Sequence, residues 1–161
     1  MINLTMGEIY ANPKFLTSYI LGQFKYLTIW NLIFVIFYKF TAKYVDLHLS
    51  CLIVALAAFN LSYIYPKSFT MKIDEEHEYI FSVEQNPTRF YVFDFLTHWV
   101  PLIAVFLLVP LERPSNKTVR TFFIIIFFLI FVDAQYVYNC NIFISIMAVI
   151  VATLIRLAVY A

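Results

Sequence analysis

The run FYVFDFLTHWVPLIAVFLLV, Phe90 to Val109, is long and apolar enough to cross a bilayer, yet Asp94 and His98 sit within it, one helical turn apart. An ionisable residue inside a span costs about 2.5 to 3.5 kcal/mol on insertion scales, so each one asks for a reason. The reading of this segment decides between an inert apolar bundle and a bundle built around a polar site.

The rest of the chain fits a membrane. Of 161 residues, 63% are hydrophobic and 13% charged, whereas soluble domains run near ~25% charged. A formal net charge of +1 with no basic cluster argues against nucleic acid as a partner, because nothing neutralises a phosphate backbone. The two cysteines, Cys51 and Cys140, fall near opposite faces and imply no disulfide framework. Only two glycines, Gly7 and Gly22, are present, which argues against broken helices and close small-residue crossings. Heavy use of Phe, Ile, Tyr, Asn and Lys suggests an AT-rich coding genome, such as that of a protist or a large DNA virus.

A spanning helix needs roughly 20 apolar residues. Five stretches qualify, near 20–40, 46–65, 90–109, 121–138 and 141–160. The fold expected is therefore an all-α polytopic bundle in one integral membrane domain, 1–161. Residues 1–19, with the breaker Asn12-Pro13, would form an interfacial or luminal N-terminal segment. An odd number of crossings separates the termini. The side holding Lys39, Lys43, Arg113, Lys117, Arg120 and Arg156 outweighs the other in positive charge, which points to a cytosolic C-terminus. Asp74 to Glu84, with Glu75, Glu76, His77 and Glu78 in a row, reads as a solvated loop, because consecutive residues point in different directions and do not converge on an ion. No metal or other cofactor is implied.

Polar residues concentrate at one depth. Lys25, Thr28 and Asn31 follow at i, i+3 spacing on the first span and share a face. Thr28 and His98 each lie about eight residues, roughly 12 Å, in from the same surface. Asn60 and Asp133, late in spans that run the other way, reach the same half. The opposite half is nearly free of polar side chains and suits apolar packing or an acyl-chain slot. A carboxylate one turn from an imidazole accepts its ring N–H, fixes the tautomer and leaves the second nitrogen as a base. A level hydroxyl is the natural nucleophile. Thr28, His98 and Asp94 thus form a nucleophile, base and orienter, with Lys25 or Asn31 as oxyanion donors and Asn60 and Asp133 in the surrounding polar pocket. The bland reading stands beside this one: threonines in membrane helices most often bond their own backbone at i−4, and an Asp–His pair can simply satisfy itself. His48, beside Asp46, reads as an interfacial residue.

KYLTIWNLIFVIFY, Lys25 to Tyr38, resembles the start of the second membrane helix in the androgen-induced family of membrane hydrolases. Ile64-Tyr65-Pro66-Lys67, and His98 with Pro101 followed by Pro114-Ser115 and Lys117, are similar to two further islands of that family. The family's first helix is missing here or reduced to residues 1–19. The resemblance implies hydrolysis of fatty acid esters of hydroxy fatty acids inside the membrane, by a threonine nucleophile and a histidine, roles that fall on Thr28 and His98. The rolling-stone-like membrane proteins share similar Thr-x-Trp and His-Pro patterning without established hydrolase chemistry. The function expected is an intramembrane lipid ester hydrolase of the endoplasmic reticulum or another endomembrane, with membrane lipids or a lipid ester as its partner. The alternatives are a non-catalytic assembly, scaffold or fusion factor of the same fold and, more remotely, a proton or ion pathway.

Overall fold

The computed structural model describes residues 1–59, 69–132 and 141–159. It is mainly helical, and it adds one small sheet that the all-α expectation lacked. In chain order come β1 (Ile2–Asn3), α1 (Met6–Ala11), α2 (Pro13–Gln23), α3 (Leu27–Ile36), α4 (Tyr38–Thr41), α5 (Leu47–Phe59), β2 (Phe69–Lys72), β3 (His77–Phe81), α6 (Pro87–Asp94), a π-helical turn (Phe95–Trp99), α7 (Val100–Leu108), α8 (Asn116–Phe131) and α9 (Ile142–Ala158).

Residues 1–24 and 69–81 build a cap. Thr5 opens α1 with a capping box, its hydroxyl accepting from the Glu8 N–H while the Glu8 carboxylate takes the Thr5 N–H. That bonding holds the Glu8 carboxyl below its usual pKa range. Asn12 ends α1 and caps α2, and Pro13 occupies the first turn of α2, so the expected breaker separates two helices rather than ending a tail. β3 lies between β1, in parallel, and β2, antiparallel. The stretch read as a solvated loop is therefore partly a strand. The residues before and after the strand stay loop-like, and in the first turn Asp74 Oδ1 accepts from the Glu76 and His77 backbone N–H groups at 2.9 Å each. Gly22 meets this sheet closely, since a Cβ there would sit 2.6 Å from Met71 Sδ.

The long helices pack beneath the cap. Asn141 caps α9 through the Phe143 N–H. The buried face of α9 carries Ser145, Ala148, Val149, Ala152 and Arg156, the i, i+3, i+4 spacing of a helix side turned inward. This face packs on α5, where Leu49, Ile53 and Val54 are buried, and Ile125 and Leu129 of α8 complete the core. A second cluster joins Leu47 and Cys51 of α5 to Val105 of α7. The outer faces are strongly apolar: Leu107 is 79% exposed, Phe127 67%, Phe131 89% and Phe143 69%. Apolar surface on this scale needs a covering medium.

The expected spans fare unevenly. Pro87–Leu108, 22 residues, is long and apolar enough to cross a membrane. The stretch near 20–40 is not one helix: α2 and α3 meet at a 75° bend, and Tyr26 between them is extended. α5 and α9 are apolar but shorter, 13 and 17 residues. α8 starts at Asn116 rather than near 121, because Ser115 caps it there. Asn60, the end of the 46–65 span, Asp133, the end of the 121–138 span and Cys140 lie outside the described residues.

The end of the bundle away from the cap is fastened by ions. Arg156 Nε bonds Asp46 Oδ1 at 3.2 Å and Oδ2 at 3.1 Å, with both side chains nearly fully buried. Asp46 Oδ2 also accepts from the Thr118 hydroxyl at 2.7 Å, and Oδ1 accepts the Leu49 N–H at the start of α5. One carboxylate thus joins α5, α8 and α9. Removing one partner of such a pair leaves a buried charge uncompensated. Asp46→Ala is expected to lower stability by about 3 to 5 kcal/mol, read as the shift in denaturant or thermal unfolding of the protein in mild detergent.

Candidate active site

Thr28 lies one residue inside α3, and that position decides what its hydroxyl does. Threonines inside helices bond the carbonyl four residues back. Thr17 does so to Pro13, Thr97 to Phe93 and Thr153 to Val149, each at 2.8 Å. Four residues before Thr28 the chain is in the bend, and the Phe24 carbonyl there takes the Trp30 indole N–H at 2.8 Å. The Thr28 hydroxyl instead lies 2.9 Å from His98 Nε2.

His98 is set by an irregularity in its own helix. Pro101 has no N–H to give the Thr97 carbonyl, and the turn before it widens into the π-helix Phe95–Trp99, where the Val100 N–H reaches back to Phe95. This turn keeps His98 buried and places its Nδ1 2.9 Å from Asp94 Oδ1. Asp94 is buried too, at the end of α6. A carboxylate facing Nδ1 selects the tautomer with the proton on Nδ1, so Nε2 is the acceptor and the Thr28 O–H donates to it. Thr28, His98 and Asp94, drawn from two segments of chain, are brought together in the order the sequence reading gave them.

Thr28 and His98 border a cavity of about 130 Å³, and Asp94 supports the ring without lining it. Its floor is apolar, with Ile53, Val54, Ala57 and Ala58 of α5, Leu129 of α8 and Val149 of α9. Its roof is the cap, with Tyr19 and Gln23 of α2, Phe69 and Met71 of β2, and Tyr79 and Phe81 of β3. Arg89 at the rim lies over the Phe81 ring, 6.0 Å from its centroid. Ser145 adds a hydroxyl.

Other expected members of the site stand apart. Lys25 is exposed in the bend and does not line the cavity. Asn31 is fully buried one turn along α3, where its Oδ1 accepts from Ser50 Oγ at 2.7 Å and Cys51 Sγ at 3.4 Å. It ties α3 to α5 and is likewise absent from the cavity wall. Asn60 and Asp133 lie outside the described residues. Gln23, Arg89 and Ser145 were missed because they belong to the cap, its junction and the last helix, which depth along a span does not connect to Thr28. No grouping of His, Cys, Asp or Glu able to hold a metal ion occurs among the described residues.

The sequence matches no family model, and no curated protein or solved structure matches it.

The tautomer is directly checkable. In protein labelled with nitrogen-15 histidine, neutral His98 is expected to carry its proton on Nδ1, and Asp94→Asn is expected to move part of the population to the Nε2-protonated form. Equal tautomer ratios in the two proteins would mean that Asp94 does not orient the ring.

Proposed function

We propose that this chain is an intramembrane lipid ester hydrolase that uses Thr28 as nucleophile, His98 as general base and Asp94 as the group that orients it. The observation that carries the reading is the hydrogen-bonded relay, 2.9 Å from Thr28 Oγ1 to His98 Nε2 and 2.9 Å from His98 Nδ1 to Asp94 Oδ1, beside a mainly apolar cavity. A nucleophile within reach of a base that is itself held by a third group is the recurring arrangement of acyl transfer.

In the first half of the reaction the Thr28 oxygen attacks the ester carbonyl as its proton passes to His98 Nε2. The tetrahedral intermediate collapses to an acyl-threonine, and the departing alkoxide takes the proton from His98. In the second half, water attacks the acyl-threonine as it gives a proton to His98. Collapse then returns that proton to Thr28 and releases the free acid. Asp94 stabilises the imidazolium formed in each half. With Lys25 and Asn31 away from the cavity, the oxyanion donors on this reading come from Gln23 or Ser145. The apolar floor suits an acyl chain.

The resemblance of Lys25 to Tyr38 and of the His98 segment to the androgen-induced membrane hydrolases supports the same chemistry, with fatty acid esters of hydroxy fatty acids as the substrate class. The five-pass arrangement belongs to this proposal, with α3–α4, α5, α6–α7, α8 and α9 as the passes, the cap in the lumen and the C-terminus in the cytosol. The endoplasmic reticulum or another endomembrane is the proposed location. The exposed phenylalanines and leucines of α7, α8 and α9 favour lipid contact.

A fluorophosphonate probe separates this reading from a non-catalytic component of the same fold. The purified protein is expected to label, Thr28→Ala to abolish labelling while still folding, and His98→Ala to slow it by at least about 100-fold. Undiminished labelling of Thr28→Ala would remove Thr28 as nucleophile.

A further inference from the structure

The ionic cluster at the other end of the bundle contains more than a structural fastening needs. Arg156 uses Nε on Asp46 and Nη2 on the Glu112 carbonyl, at 2.7 Å, but its Nη1 has no hydrogen-bond partner although the residue is only 4% exposed. His48, equally buried, has no partner at Nε2. Both residues line a second cavity of about 30 Å³, together with Arg113, Ser115 and Lys117. Leaving buried polar atoms unpaired costs about 1 to 3 kcal/mol each. Two of them on residues that line one small hollow point to a ligand.

The chemistry of that ligand follows from the two atoms. Val109 lines the same hollow as His48 and its N–H is already given to Val105, so its carbonyl is the backbone group placed to take the ring N–H. A neutral imidazole that donates through one nitrogen accepts through the other. The site therefore offers a donor at Arg156 Nη1 and an acceptor at His48 Nε2. Its charge is positive: Arg113, Lys117 and Arg156 face Asp46 and Glu112. Both carboxylates are engaged, Asp46 by Arg156 and Glu112 by Lys117 at 2.7 Å, a bond that holds the Glu112 carboxyl below its usual range. An anion bearing both a charged oxygen and a hydroxyl meets all three conditions.

We infer that this end of the bundle binds a hydrogen phosphate group, either the free ion or the phosphomonoester headgroup of a lipid such as phosphatidic acid. One charged oxygen is held by Arg156 Nη1, and a P–OH donates to His48 Nε2. The hollow takes one or two oxygen atoms, and the remainder of the group stays at the mouth beside exposed Arg113. Sulfate has no proton to give at neutral pH and pairs with only half of the site.

Thermal unfolding of the full-length protein in neutral detergent tests this. Inorganic phosphate or dihexanoyl phosphatidic acid is expected to raise the midpoint by about 5 °C near saturation, with sulfate at matched ionic strength and dihexanoyl phosphatidylcholine giving less than half of that. A response to phosphate alone assigns a free ion, and a response to phosphatidic acid alone assigns a lipid headgroup. Arg156→Lys keeps a cation for Asp46 but has no second nitrogen to turn into the hollow, and His48→Leu removes the acceptor. Each is expected to weaken binding at least tenfold. Should Arg156→Lys fail to fold, His48→Leu and the exposed Arg113→Gln carry the comparison. The assignment is overturned if neither phosphate nor phosphatidic acid shifts the midpoint, which would leave a water-filled hollow, if sulfate matches phosphate, or if the folded variants respond as the parent does.

Discussion

The bend between α2 and α3 governs both the cap and the site. Had the helix run straight from Pro13 to Ile36, Thr28 would have closed on the Phe24 carbonyl, as Thr17, Thr97 and Thr153 close on theirs. Because the chain turns by 75° there, Trp30 takes that carbonyl and the hydroxyl is left for His98. The same turn lays α2 across the mouth of the bundle, so one local distortion exposes a hydroxyl to a base and roofs the space in front of it. A π-turn made necessary by Pro101 does the corresponding work on the opposite wall.

The two ends of the bundle are polar in different ways. Near the cap, one hydrogen bond joins Thr28 to His98 and another joins His98 to Asp94, beside a mainly apolar cavity. At the far end, Asp46 binds α5, α8 and α9 through several bonds at once and resists rearrangement. Rigidity at the Asp46 end and small-residue packing of α9 against α5, through Ala148 and Ala152, hold the cavity floor in place. A site that depends on distances near 2.9 Å requires that kind of support.

Depth counting along the spans brought Thr28 level with His98 without any coordinates, and i, i+4 spacing paired Asp94 with that histidine. Both relations are one-dimensional, so they survive uncertainty about packing. Lys25 and Asn31 were grouped with Thr28 by the same i, i+3 rule, which fails across the bend for Lys25 and ignores the competing partners Ser50 and Cys51 for Asn31. The sheet escaped notice because β1 has two residues and gains its partner, β3, more than seventy positions away. His48 read as interfacial because it lies near the end of an apolar run, and Arg156 entered only the count of positive charge on one side. Their burial arises from helices converging on Asp46, a tertiary fact with no local sign.

The central claim is that the Thr28 oxygen is the atom that becomes acylated. Peptide mass spectrometry of the protein after reaction with a fluorophosphonate locates the modified residue directly. The account predicts a single adduct on Thr28, formed at least about 100-fold more slowly when His98 is replaced by alanine. An adduct on any other side chain, with Thr28 unmodified, would contradict it.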